Sequence, residues 1–207
     1  MVQQIAQSKG LRIETAMYAK GGYRLKNHAS DSQLDALLQS EVWHIVVLQE
    51  QSQLPAFRSK QTRVDVFPYA DQLVKKNRGI NASAKIAFYQ TMAHRNGDRE
   101  NAQAFPELGT YRGMQERVNA TYRSMALDHH GILIPVGELW ITARQNNALQ
   151  IPLYRDSVHP SKSGTYLAAC IFIKTLFDQP VSGAWIPPGI KPQYGNTLQR
   201  LVDEHRQ

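Results

Sequence analysis

A chain of 207 residues with 42% hydrophobic and 20% charged side chains is long enough for one well-buried core and excludes a disordered chain, and no apolar run is long enough to cross a bilayer. The formal charge of +7, from 24 Lys plus Arg against 17 Asp plus Glu, raises nucleic acid as a partner. The basic residues are scattered from Lys9 to Arg206, however, and the densest run, Lys75-Lys76-Asn77-Arg78, sits where cations complement a helix C-terminus, so no nucleic-acid partner is expected.

The single cysteine, Cys170, lies in the apolar series Leu167, Cys170, Ile171, Phe172, Ile173. It excludes an intramolecular disulfide and reads as a packed small hydrophobe. The first ten residues read as a polar amphipathic helix stopping at Gly10, not as a signal peptide. Compartment and oligomeric state stay open.

Taken in chain order, Leu11 to Tyr18 alternates Leu11, Ile13 and Thr15 with polar partners, which predicts a strand ending at Lys20-Gly21-Gly22. Asp31 or Ser30 caps a helix carrying Leu34, Leu37 and Leu38 on one face. Trp43 to Leu48 is a continuous β-branched run, the pattern of a strand covered on both faces, and it ends at Gln49-Glu50-Gln51-Ser52. A helix is expected from about Val64 to Arg78 with Gly79 as its stop, then a strand from Ala84 to Gln90. A polar loop follows to Pro106, then a helix from about Thr110 to His129, a short strand from Gly131 to Val136, and a last long helix from Ser161 to about Phe177.

Strand and helix alternate, so the expected class is α/β: a three-layer α/β/α sandwich around a mostly parallel, flavodoxin-like sheet, in a single domain spanning 1–207. In such sheets the ligand sits beyond the carboxyl ends of the strands. Gly21-Gly22 and Gln49 to Ser52 fall at such ends, and Asp156 to His159 precedes the last helix.

The run Tyr154-Arg-Asp-Ser-Val-His-Pro-Ser161 sets a carboxylate three residues before an imidazole. A serine nucleophile needs a base to take its proton, and that base needs a carboxylate to fix its tautomer and steady the imidazolium. An Asp-x-x-His turn supplies both. Its structural alternative is a capped turn with a loop histidine.

The longer string Asp-Ser-Val-His-Pro-Ser-Lys-Ser-Gly-Thr-Tyr-Leu-Ala-Ala, residues 156–169, closely resembles the last block of the SGNH, or GDSL-like, serine hydrolases and esterases. That resemblance implies that Asp156 and His159 are the acid–base pair. It also implies that Gly22, in Ala-Lys-Gly-Gly-Tyr, is the glycine whose backbone N–H points at the oxyanion. The alternative there is a plain turn glycine. Gln51, in Val-Val-Leu-Gln-Glu-Gln-Ser, stands where the family's asparagine belongs, with a side-chain amide to donate to the same oxygen. A surface amide at a strand end is the alternative, and Gln49 is a substitute.

The family's serine block, Gly-Asn-Ser or Gly-Asp-Ser after a first strand, is not recognisable here. The expectation is an N-terminally shortened member, with Met1 internal and the first, central strand and its serine upstream. Ser52 is nearest to the expected site but reads as a polar loop residue, and Ser161 reads as a helix cap.

No metal is expected, because adjacent His129-His130 and the loop residue His94 lack ligand spacing. Trp43, Trp140 and Trp185 read as packing rather than a sugar platform. The resemblance implies ester hydrolysis without a cofactor, on a small-molecule or carbohydrate ester. The rival is a non-catalytic binding protein that kept the fold and lost the nucleophile.

Overall fold

A computed structural model of the chain describes residues 1–205, and its backbone groups into two compact units, Met17–Leu133 and Met1–Ala16 with Ile134–Gln207. The first carries a three-stranded parallel sheet in the order β1-β2-β3, formed by Ile45–Leu48, Lys85–Tyr89 and Ile132–Ile134. The β1–β2 register pairs Ile45 with Lys85 and Leu48 with Phe88. The α/β class and parallel sheet are those that the alternation of elements predicts.

Helices α5 (Phe67–Ile80) and α6 (Tyr111–Asp128) build the core of this unit with the sheet. Met114, Val118, Tyr122 and Met125 recur at spacings of four, four and three, so they share one helical stripe. They are buried against Leu48, Ile86 and Phe88 from the strands and Leu73 and Val74 from α5. Fully burying side chains of this size stabilises by about 1.5–3 kcal/mol each. Thr110 starts α6 where expected, its hydroxyl accepting from the Gly113 N–H at 3.1 Å. Asp31 caps α3 (Ser32–Ser40) in the same way through Gln33.

Three expectations for this unit are corrected. Leu11 to Tyr18, which crosses the boundary between the units, forms no strand. Alternation makes a strand only where a neighbouring backbone pairs with it, and no ladder reaches this segment; Met17 is 87% exposed. The helix expected from Val64 to Arg78 is two helices, α4 (Ser59–Asp65) and α5, divided at Val66 with φ −123° and ψ −60°. Pro68 explains the break, because its ring would clash with the Val64 carbonyl in a continuous helix but is tolerated in the first turn of a new one. Strand β1 is not covered on both faces, since Val47 on this outermost strand is 37% exposed.

The other unit is helical. Helix α8 (Lys162–Phe177) buries Leu167, Cys170, Ile171 and Ile173 and packs against α1 (Val2–Ser8), α7 (Val136–Gln145) and α9 (Pro192–Glu204). Burial pushes the Cys170 thiol up to about 12, as befits a packed hydrophobe. Sequence periodicity did not single out α7 or α9. Pro135 ends β3, and Val136 opens α7 with Leu139, Trp140 and Ala143 inward. Helix α9 buries only Gly195, Leu198, Gln199 and Val202. Among the described residues no helix is long and apolar enough to cross a membrane.

Candidate active site

The loop leading into α8 is built from hydrogen bonds that account for most of its sequence. The Arg155 N–H donates to the His159 carbonyl at 3.0 Å and the Ser161 N–H to the Leu153 carbonyl at 2.9 Å, so the chain doubles back on itself in a tight turn. Inside it, Asp156 Oδ1 accepts the backbone N–H groups of Val158 at 2.8 Å and His159 at 2.7 Å. Asp156 Oδ2 lies 2.9 Å from His159 Nδ1. Pro160 then fixes the backbone before α8. Ser161 caps that helix, accepting from Gly164 at 3.1 Å.

Gly164 completes the loop by what it lacks. A Cβ at this position would stand 2.2 Å from the Leu153 carbonyl oxygen and 2.5 Å from Trp140. The hydrogen atom lets the first turn of α8 lie against the incoming strand of the loop.

The backbone N–H groups of His159 and Val158, then the His159 side chain, hold the Asp156 carboxyl well below the usual carboxylate range. Asp156 is therefore an anion at any pH where His159 can act as a base. With Nδ1 occupied by the carboxylate, Nε2 is the ring nitrogen available to exchange a proton. The His159 side chain is 63% exposed, so Nε2 is accessible. The structural alternative for Asp156, a capped turn, holds as well: one oxygen caps the turn and the other holds the imidazole.

Gly22 and Gln51 both lie in the unit formed by Met17–Leu133. Gly22 has φ +74°, a conformation that favours glycine, and a Cβ there would meet nothing within 4 Å. The turn is tied down on its incoming side by Lys20, whose Nζ lies 3.1 Å from Asp31 and 3.3 Å from the Tyr23 hydroxyl. Gln51 turns its side-chain oxygen back onto the chain, accepting the N–H groups of Gln53 at 2.9 Å and Leu54 at 3.2 Å. Two donors converging on one atom fix which end of the amide is oxygen. Its NH2 group gives one hydrogen to the Gln53 side chain at 3.1 Å and keeps a second.

Sequence reasoning passed over Glu50 and Asp98 here and weighed His94 only as a metal ligand. Glu50 is 1% exposed, and its carboxylate accepts the Leu25 N–H at 3.2 Å and the Gln51 N–H. Its own N–H donates to the Tyr122 hydroxyl at 2.9 Å. His94 is buried with Nε2 3.2 Å from the Ser52 hydroxyl. Buried Asp98 accepts from Gln53 at 3.0 Å and Asn101 at 2.7 Å. The usable signal was positional: these residues follow the carboxyl ends of β1 and β2, where α/β sheets place ligands. Gln49, the substitute for Gln51, is exposed.

No family model matches the sequence, and no curated protein matches it. Solved structures do. A DUF4886 family protein from Bacteroides uniformis superimposes with a TM-score of 0.78 at 17% identity, over 98% of this chain and 86% of that one. A proposed SGNH hydrolase from Slackia heliotrinireducens gives 0.64 at 27% identity, over 83% and 88%. The chain has an SGNH, or GDSL-like, hydrolase fold. An acetyl xylan esterase from Geobacillus stearothermophilus shares the SGNH-like fold more distantly, with a TM-score of 0.51 at 13% identity over 88% and 78%.

Proposed function

We propose that the protein is a serine-dependent ester hydrolase of the acyl or acetyl esterase type, 1–207 forming one SGNH-like domain, with the nucleophilic serine contributed by sequence preceding Met1. The observation that carries this reading is the Asp156–His159 pair, an oriented and accessible imidazole backed by a carboxylate whose ionised form is favoured by its hydrogen bonds. The SGNH-like fold supports it.

In this reading the serine attacks the ester carbonyl while His159 Nε2 takes its proton. The C–O bond to the alcohol then breaks as His159 returns the proton to the leaving oxygen. Water, deprotonated by His159, attacks the acyl-serine, and the carboxylate product leaves with the serine hydroxyl restored. Asp156 holds the imidazole and steadies its cationic form. The Gly22 N–H and the remaining Gln51 N–H are the proposed donors to the oxyanion, where removing a single donor costs about 2.7–4 kcal/mol of transition-state stabilisation. The acetyl xylan esterase likeness favours an acylated carbohydrate as the substrate class.

The test is acetate release from acetylated xylan and from p-nitrophenyl acetate by the chain extended with the codons preceding Met1. Turnover that a fluorophosphonate abolishes, with the label on a serine ahead of Met1, supports the reading. No turnover and no label turns it toward the binding-protein alternative.

A further inference from the structure

Among the buried ionisable side chains that the mechanism does not use, Glu50 is the least exposed carboxylate. Glu50 follows β1 closely, is 1% exposed, and has no place in the proposed chemistry. A carboxylate removed from water in this way is costly unless hydrogen bonds compensate for the lost solvation.

Those bonds lead to two particular places. Both carboxylate oxygens lie 3.2 Å from the Leu25 N–H, and Leu25 is the first residue of α2 (Leu25–Ala29), three residues beyond Gly22. Oε1 also accepts the backbone N–H of Gln51 at 2.6 Å. One side chain thus ties the segment carrying the Gly22 turn to the backbone of Gln51, while the Tyr122 hydroxyl anchors Glu50 itself from α6.

We propose that Glu50 is a positioning residue for the oxyanion side of the site, fixing the Gly22 turn and Gln51 relative to each other through Leu25 and the Gln51 backbone. This rests on the hydrolase reading for its purpose, though not for its geometry. Glu50 contacts no substrate; it sets the separation of two donors that must meet one oxygen, and a misplacement of about 1 Å at such a site costs about 100-fold in rate.

Glu50 also gives the arrangement a titration. Burial raises its carboxyl to about 7, against the pull of the Gln51 and Leu25 N–H groups. The charged and titratable groups facing it are Arg24, which favours the anion, Asp65, which opposes it, and the Tyr122 hydroxyl. The carboxyl therefore changes charge near neutrality, and the hydrogen bonds that fix the two segments change strength with it.

The experiment follows the Gly22 backbone amide and the Gln51 side-chain amide of the 15N-labelled chain by NMR from about pH 5 to about pH 9. Neither group donates to Glu50, so a purely local bond does not move them. Both signals are expected to shift with one midpoint near 7. Glu50→Gln, which keeps an acceptor, should retain their positions and lose the titration. Glu50→Ala should displace or broaden both while leaving the Val158 and His159 amides in place.

In the extended chain, Glu50→Ala should lower kcat by about tenfold or more with KM within about twofold, and Glu50→Gln should restore most of it. Signals that keep their native positions and pH course in Glu50→Gln overturn the proposal, and that comparison decides even if Glu50→Ala does not fold. An extended native chain without ester turnover overturns the hydrolase reading instead, and the NMR comparison still decides whether Glu50 positions the two segments.

Discussion

Asp156 grips His159 at two points, its Oδ1 accepting the histidine's backbone N–H at 2.7 Å and its Oδ2 lying 2.9 Å from the ring Nδ1. The backbone bond fixes where the ring begins and the side-chain bond fixes how it turns. An imidazole held this way presents Nε2 without paying the entropy of ordering at the moment of reaction. The pair is therefore preorganised by four residues of local chain.

Replacing Asp156 by asparagine separates the two roles. The amide oxygen that takes the place of Oδ1 still caps the turn, but an NH2 group then faces Nδ1 and favours the wrong tautomer. Asp156→Asn in the extended chain should lower kcat by about 10⁴-fold with a melting temperature close to that of the native protein. Stopped-assay hydrolysis and thermal unfolding on the same preparation check both halves.

Gly164→Ala should disturb the pair from outside it. The added methyl meets the Leu153 carbonyl at 2.2 Å and the Trp140 ring at 2.5 Å, so α8 must move away from the loop. Overpacking of this kind costs about 1–3 kcal/mol, read as a lower midpoint in urea with an unchanged slope.

Glu50 predicts how stability follows pH. Its folded value, about 7, lies above its ordinary 4.5, so its contribution is fully present below pH 4.5 and is lost as pH rises through 7. The loss attributable to this group is about 3 kcal/mol. Glu50→Gln should flatten that part of the curve, measured by urea unfolding across the range.

Ser52 tests the assignment of the nucleophile. Its hydroxyl lies 3.2 Å from His94 Nε2, a serine–histidine contact that could be mistaken for the catalytic one. On the proposal that the nucleophile lies ahead of Met1, Ser52→Ala in the extended chain should retain turnover to within about tenfold and still take the fluorophosphonate label, whereas loss of a true nucleophile costs about 10⁶-fold. Peptide mapping of the labelled variant reads the site directly.

The sequence was most legible where one local pattern carries the physics. Asp31, Thr110 and Ser161 announce helix starts because a capping side chain acts within three residues, and residues 156–164 announce their turn for the same reason. The α6 stripe was readable from helical spacing, whereas the helix expected from Val64 to Arg78 ran across the break at Val66. What was not readable depended on distant partners. Leu11 to Tyr18 has strand alternation but no ladder, and nothing local to Gln49-Glu50-Gln51 says that Glu50 is buried on the Leu25 N–H, 25 residues earlier in the chain. Gln51 was chosen by its place in the string. That its oxygen would cap the Gln53 and Leu54 N–H groups required the three-dimensional turn.

The most direct test of the account is kcat/KM for p-nitrophenyl acetate in the extended chain and its His159→Ala variant, with circular dichroism to confirm that both fold. A fall of about 10⁴-fold or more in the folded variant is the predicted result. Unchanged turnover would contradict the account and remove His159, and with it Asp156, from the chemistry.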